Sequence, residues 1–359
     1  MRIASAASAF PKHYYSQQFL LEQLQNYWGD RLKNPKMLAR LHKHVTVEGR
    51  YLSLPTEEYY KIKTWGEAND AWIRVAQELG EQALCRALQN AGVEASQIGA
   101  LFFTTVTGIA SPSIDAMLIN RLGLSHNIRR TPIFGLGCVA GAAGIARAAD
   151  YVSAYPAQAA ALVSVELCSL TLQREDLSVA NLISSGLFAD GSAAVVVTGE
   201  DFASSGPEIS GLGINGPKIL ATRSVFYPGT EEMMGWHISE KGFRIVLSPE
   251  VPTLIREHLG HDVDQFLADH GHRRSDLRSW VLHTGGPKIL EATAAALDLN
   301  DGQLDASWDC LRKVGNLSSA SVLVVLEDVM KRRRPDPGTL GLLAAMGPGF
   351  CSELLLLQW

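Results

Sequence analysis

Runs that read as strands alternate with runs that read as helices along nearly the whole chain, and this alternation restricts the fold more than any other feature. Residues 101–105, 161–165 and 193–197 are short, apolar and rich in Val, Leu and Ala. Residues 280–283, 340–344 and 354–357 repeat the pattern in the second half. Continuous apolar runs, without a polar residue at every second place, belong to strands buried on both faces. Sheets of that kind need helices on each side, so the chain reads as α/β in layers. Its 359 residues, 47% of them hydrophobic, suffice for one large core or two medium ones.

The two halves also resemble one another. Residues 101–108 can be laid on 279–286, and the strand, turn and helix around Cys138 can be laid on 313–321. Cys138 and Asn316 stand as far apart along the chain as Thr105 and His283. Two segments sharing one offset predict two copies of a single α/β unit, packed face to face. Between residues 200 and 218, glycine, proline and serine cluster and the periodicity is lost. The expected halves are therefore 1–211 and 212–359.

Charge and cysteine usage exclude several classes. The net charge is −5, which gives no reason to expect nucleic acid or another polyanion. The run Lys331-Arg332-Arg333-Arg334 follows an apolar helical stretch and reads as a charged helix C-terminus, favoured there by the dipole. Five widely spaced cysteines without a CxxC pair form neither a disulfide framework nor a zinc site. A reduced, cytoplasmic setting is expected, with no metal. The opening residues start a short strand interrupted by Pro11 and lack the apolar length of a signal peptide. No stretch reaches the ~18 apolar residues of a membrane span.

One cysteine stands out. In Gly135-Leu136-Gly137-Cys138-Val139-Ala140-Gly141, Cys138 falls between an apolar strand and a small-residue helix. A thiol at a helix N-terminus sits beside unpaired N–H groups and the positive end of the dipole, and both favour the thiolate. Small neighbours would let a substrate approach the sulfur. The same residue could equally be a small buried hydrophobe. His283 and Asn316 also stand where a strand gives way to a turn. If the duplicated halves meet, His283 could hold a Cys138 thiolate ionised, and both side chains could donate to a developing oxyanion. A structural histidine and a helix-capping asparagine are the alternatives.

These residues resemble the type III polyketide synthases, the chalcone-synthase-like branch of the thiolase superfamily. The likeness spans nearly the whole chain. Its anchors are Gly137-Cys138-Val139-Ala140-Gly141, His283-Thr284-Gly285-Gly286-Pro287, Gly315-Asn316-Leu317-Ser318-Ser319 and Met346-Gly347-Pro348-Gly349-Phe350, with Phe188-Ala189-Asp190-Gly191-Ser192 beside them. The resemblance implies a thiolase-like fold of two duplicated α/β halves in five αβαβα layers, and a homodimer. It implies that Cys138 takes an acyl group from coenzyme A. His283 and Asn316 would then promote decarboxylation of malonyl-CoA, with CoA thioesters as substrates and no bound cofactor.

The resemblance also implies a cavity. Phe188 matches one gatekeeper phenylalanine, and the second position falls at Ile245. Met346 replaces a usual phenylalanine before the Gly-Pro-Gly loop. Thr107, Ser111 and Cys168 match cavity or tunnel positions, and all three are small. Small walls imply room for a medium- to long-chain fatty acyl starter, hence an alkylpyrone or alkylresorcinol product. Lys36, Arg40 and Lys43 share one face of a predicted helix. With Lys288, they match the family's CoA-phosphate-binding region. Three other readings stay open: a ketoacyl-synthase III-like enzyme using acyl carrier protein, a Cys-His-Asn hydrolase, and a scaffold without activity.

Overall fold

The computed structural model describes residues 1–32, 34–203 and 216–359. Nine strands make the main sheet. In chain order they are β1 (Arg2–Ala9), β2 (Ile98–Thr105), β3 (Arg129–Phe134), β4 (Ala159–Leu167), β5 (Asp190–Thr198), β6 (Lys218–Phe226), β7 (Leu277–Leu282), β8 (Leu340–Gly347) and β9 (Cys351–Gln358). Across the sheet they run β7-β8-β9-β6-β1-β5-β4-β2-β3.

The sheet is two half-sheets joined by a thin seam. β1 and β6 share one ladder pair, Arg2 with Lys218. On one side of the seam, β1 pairs antiparallel with β5, β5 antiparallel with β4, and β4 parallel with β2. On the other, β6 pairs antiparallel with β9, β9 antiparallel with β8, and β8 parallel with β7. Order and direction repeat strand for strand, and β3 extends only the first half-sheet. β2 and β7, the strands whose sequences overlay, occupy the same place. The turns overlay differently from expectation. A 3-10 turn Gly137–Val139 leads into one central helix and a 3-10 turn Ser318–Ala320 into the other. Ser319, not Asn316, therefore stands opposite Cys138. The boundary expected at residue 211 lies outside the described residues.

Four helices complete the layers: α1 (Trp65–Ala91), α2 (Ala140–Ala154), α3 (Val251–Ala268) and α4 (Ser321–Arg332). α1 opens on a capping box, in which Glu67 N–H donates to Thr64 Oγ1 and Thr64 N–H to the Glu67 carboxylate, each at 3.2 Å. It packs Trp72, Leu84 and Leu88 onto the outer face of β1, β4 and β5. α2 and α4 lie between the half-sheets, with Ile145, Val322 and Leu326 meeting Leu162, Val195, Leu343 and Leu355. α3 covers the other outer face with Ile255, Val263 and Phe266. The five expected layers are present.

A helix between two sheets is buried over most of its surface, which explains the composition of α2; Arg147 and Asp150 mark its narrow exposed side. Ten of its residues are buried, most of them Ala or Gly. A Cβ at Gly141 would lie 2.2 Å from the Ser319 carbonyl oxygen, and one at Gly144 would lie 2.5 Å from Leu162. These glycines admit protein neighbours, not a substrate, which corrects the role expected for them. The basic run at the end of α4 is neutralised locally: Lys331 pairs with Glu327 at 2.7 Å, Arg332 with Asp328, and Arg333 with Asp328 and Asp309. Among the described residues no helix is long and apolar enough to cross a membrane.

Candidate active site

β3 ends at Phe134, and the chain reverses through Gly135 (φ 99°) and Gly137 (φ 54°) before α2. Both glycines hold a backbone conformation that other residues resist. A Cβ on Gly137 would lie 2.7 Å from Pro348, and a Cβ on Gly347 would lie 2.6 Å from Val139 N. The Gly-Pro-Gly loop thus packs directly on the turn that carries Cys138.

Cys138 is buried, with its sulfur 3.6 Å from Ser318 Oγ. Ser318 in turn donates its N–H to Asn316 Oδ1 at 2.8 Å, and Ser321 Oγ donates to the same oxygen at 3.3 Å. With its oxygen occupied, Asn316 keeps its NH2 as the group able to donate elsewhere. His283 follows β7, and its N–H donates to Ala344 O of β8 at 3.1 Å. The far end of β8 carries Gly347 onto the Cys138 turn. Both ring nitrogens of His283 are buried and unpartnered. The two halves therefore bring the three predicted residues to one region, Cys138 and Asn316 through Ser318, His283 through β8.

The electrostatics differ from expectation. Burial pushes the Cys138 thiol up to about 12, and the nearby Glu166 carboxylate acts in the same direction. The Ser318 contact opposes both but does not win. Burial alone brings His283 down to about 4. Desolvation outweighs the helix N-terminus, so the resting pair is a neutral thiol and a neutral imidazole. Each is penalised because its charge would stand alone. Proton transfer between such groups would create two charges that offset one another.

Glu166 is a group that the sequence reading missed. It is fully buried in β4, accepts from Thr107 Oγ1 (3.0 Å), Val106 N–H (3.1 Å) and Thr105 Oγ1 (3.3 Å), and also from Ser319 Oγ. Burial raises its pKa to about 7. Its signal was available as the one charge inside an otherwise uncharged strand.

A cavity of about 130 Å³ opens against Phe188, whose backbone adjoins Asn316; Cys138, His283 and Asn316 are not among its described lining residues. Phe188, Ile245 and Cys168 all line it. Phe188 and Asn316 belong to adjoining backbone segments: Asn316 N–H donates to Leu187 O and Ala189 N–H to Asn316 O, both at 2.9 Å. The buried Arg50 holds the Phe188 carbonyl at 2.8 Å and that of Ser185. The other cavity assignments fall elsewhere. Thr107 is absorbed in the buried network: besides Glu166, it accepts from Trp72 Nε1 at 3.2 Å and Leu167 N–H at 2.9 Å. Ser111 is exposed on a loop. Met346 is packed in the core under α3 with Trp280 and Phe350.

Lys36, Arg40 and Lys43 are exposed on the helix Pro35–His44, and Lys288 is exposed at the start of the helix Pro287–Leu297. Helix Pro35–His44 lies against helix Val179–Leu187, which ends at Phe188; a Cβ at Gly186 would strike the His42 ring at 2.8 Å. The buried His42 side of the helix thus faces the segment leading to the chamber, and Lys36, Arg40 and Lys43 lie on its other, exposed side.

The N-terminal domain model of the chalcone and stilbene synthases matches residues 3–201, and the C-terminal domain model matches residues 218–359. A 1,3,6,8-tetrahydroxynaphthalene synthase of Streptomyces peucetius subsp. caesius is 48% identical, covering 99% of this chain and 93% of that protein. A phloroglucinol synthase of Pseudomonas fluorescens is 32% identical, covering 98% and 97%. The crystal structure of 1,3,6,8-tetrahydroxynaphthalene synthase from Streptomyces coelicolor A3(2) superposes with a TM-score of 0.92 at 31% identity, covering 100% and 99%. The sheet of repeated halves and the buried cysteine turn between them accordingly belong to a member of the chalcone and stilbene synthase family, a type III polyketide synthase of thiolase-like fold.

Proposed function

We propose that this enzyme joins two-carbon units from malonyl-CoA into a polyhydroxylated aromatic product, in the manner named for its tetrahydroxynaphthalene- and phloroglucinol-forming relatives. In this reading Cys138 hands its proton to His283 and attacks the acyl-CoA carbonyl. The C–S bond to coenzyme A breaks, and CoA leaves as its thiol with that proton. A malonyl-CoA then loses its carboxylate as CO₂. The resulting negative charge on the thioester oxygen is met by hydrogen bonds from His283 and the Asn316 NH2. The carbanion attacks the Cys138 thioester, forms the new carbon–carbon bond and releases the sulfur. No step calls for a metal or a bound cofactor. Lys36, Arg40, Lys43 and Lys288 would hold the CoA phosphates.

The observation that carries the product class is the wall of the chamber. Tyr27, Tyr60 and Ser184 bring hydroxyls to it, while those of Tyr59, Ser169 and Thr171 donate within the protein. A polyketide chain has a carbonyl at every second carbon and needs donors spaced along its length. A tetrahydroxynaphthalene skeleton is five such units folded into two rings. A fatty acyl starter, cyclised to an alkylpyrone or alkylresorcinol, is the second reading, favoured by Leu20, Leu24 and Leu172 on the same wall. Of the three small residues behind that reading, only Cys168 lines the chamber.

A homodimer is part of the proposal. β3 is the sheet's outer edge, five of its six residues are exposed, and Phe134 and Ile109 are 49% and 42% exposed nearby. An open edge of this kind invites a second copy.

The deciding experiment is mass spectrometry of products formed from malonyl-CoA, alone and with acyl-CoAs from acetyl to palmitoyl. No carrier protein is present, and a Cys138→Ala control runs alongside. Polyhydroxyaromatic masses from malonyl-CoA support the first reading. Pyrone or resorcinol masses that follow the acyl chain length favour the second. Free acid alone would mean hydrolysis, and reaction only with acyl carrier protein would mean a ketoacyl-synthase-like activity.

A further inference from the structure

The chamber behind Phe188 has an uneven charge. Among the described residues two guanidinium groups line it, Arg50 and Arg174, and no carboxylate does. Arg50 is buried, and Asp190 offsets its charge in part without a direct contact, its oxygens accepting the N–H groups of Ser53 (2.6 Å) and Ser169 (2.8 Å) and both their hydroxyls. Arg50 therefore gives its hydrogens to the carbonyls of Phe188 and Ser185, and its Nε–H is left buried without a partner. Arg174 likewise meets only carbonyls, those of Ile62 (2.8 Å) and Tyr59, and stands 6.0 Å from the centre of the Tyr27 ring. Its neighbour Glu175 is taken by Arg31 at 2.7 Å. On its other side Arg174 borders an outer groove, where Glu175 and Glu240 are matched by Lys63 and Lys241. The imbalance thus belongs to the chamber.

Carbonyl contacts orient the Arg174 guanidinium without supplying a counter-charge, and a hydrocarbon ligand would supply none either. A carboxylate would offset the charge through charge-assisted hydrogen bonds. We propose that the chamber receives an acyl chain whose far end carries a carboxylate, held by Arg174, with Arg50 as the second cation of the pocket. The chain is anchored at its other end as the Cys138 thioester, so the inference rests on the reading of Cys138 as acyl acceptor. Arg174 acts here as a specificity determinant; it touches no reacting atom.

The test is single loading of Cys138 without malonyl-CoA, followed by CoA release and by the mass of the acylated protein. Unbranched acyl-CoAs from butyryl to dodecanoyl are compared with their ω-carboxy counterparts. At the lengths that reach Arg174, the ω-carboxy thioester should load about tenfold faster than the neutral one. Arg174→Gln should bring that ratio to about one, and Arg174→Lys should keep part of it. Loss of the Tyr59 and Ile62 contacts would slow both thioesters together and cancel in the ratio. A ratio near one at every length in the wild type, or a preference unchanged in Arg174→Gln, overturns the subsite while leaving acyl transfer intact. Failure of every thioester to load Cys138 overturns the acyl-acceptor reading and the subsite with it.

Discussion

Removing His283 should silence Cys138 as a nucleophile at neutral pH by an amount that the site's burial sets. The thiol is pushed up to about 12 in the dry pocket, and its raised pKa disfavours the anion at every pH below that value. A thiol of that pKa is ionised to about one part in 10⁵ at pH 7, against about one part in thirty for an ordinary cysteine. On the proposed reading, wild-type His283 takes the proton as the sulfur attacks, so Cys138 need not ionise beforehand. His283→Ala, or His283→Gln to keep the volume, leaves no such acceptor. The assay is iodoacetamide alkylation of Cys138 followed by peptide mass spectrometry, with the exposed Cys85 as internal reference. The variants should react at pH 7 about 10²–10⁴-fold more slowly than wild type, the range that a positioned general base supplies. Their rate should climb about tenfold per pH unit from 7 to 10, while the wild-type profile stays shallower. A variant that keeps the wild-type rate and profile would refute the reasoning. So would a wild-type rate that itself climbs tenfold per unit, for then His283 does not take the proton.

Four further outcomes follow from particular contacts. Gly141→Ala sets a Cβ 2.2 Å from the Ser319 carbonyl and should lower stability in urea by about 3 kcal/mol, whereas Gly66→Ala, with nothing closer than 3.8 Å, should be neutral or mildly stabilising. Thr107→Val strands Trp72 Nε1, Leu167 N–H and Glu166, and should cost about 2–4 kcal/mol by urea midpoint without changing the starter profile, while Ser111→Ala should change stability by less than about 0.5 kcal/mol. Glu166 has a folded pKa near 7, above its unfolded value of 4.5, so its contribution to stability is full below 4.5 and is lost as pH rises to about 7; Glu166→Gln should flatten the urea midpoint across that window, and an unchanged slope would count against it. Cys168→Phe should fill the inner end of the chamber and shorten the longest acyl-CoA accepted in the product assay; an unchanged chain-length profile would remove Cys168 from the wall.

How far the sequence could be read depended on whether a signal was local. Buried strands such as β4 are continuous apolar runs, and the half-sheet repeat left a matching offset between residues 101–108 and 279–286. Cys138 and His283 could be found because each sits where a strand gives way to a turn; Asn316 instead follows the helix Asp305–Val314 and not the strand expected there. The offset misled at the turns, where three extra positions separate Asn316 from the residue opposite Cys138. Thr107 and Ser111 do not line the chamber, and only the fold reveals that one is hydrogen-bonded inward and the other exposed. Arg50 gave no sign at all. Its importance comes from carbonyls more than a hundred positions away.

The hardest property to foresee was the balance between helix N-terminus and burial at Cys138. Position in the chain argues for a thiolate, because the turn precedes a helix whose first N–H groups are free. The central layer argues against it, because α2 lies between two sheets and its start is as dry as its middle. A helix end contributes on the order of 1 kcal/mol, whereas burying a lone charge costs several, so burial wins. The same dryness serves the proposed chemistry. It keeps thiol and imidazole neutral until a thioester arrives, and it strengthens the donors that then meet the oxyanion, since no water competes for them. A more open cleft would have ionised Cys138 more readily but would have admitted water to hydrolyse the Cys138 thioester between condensations.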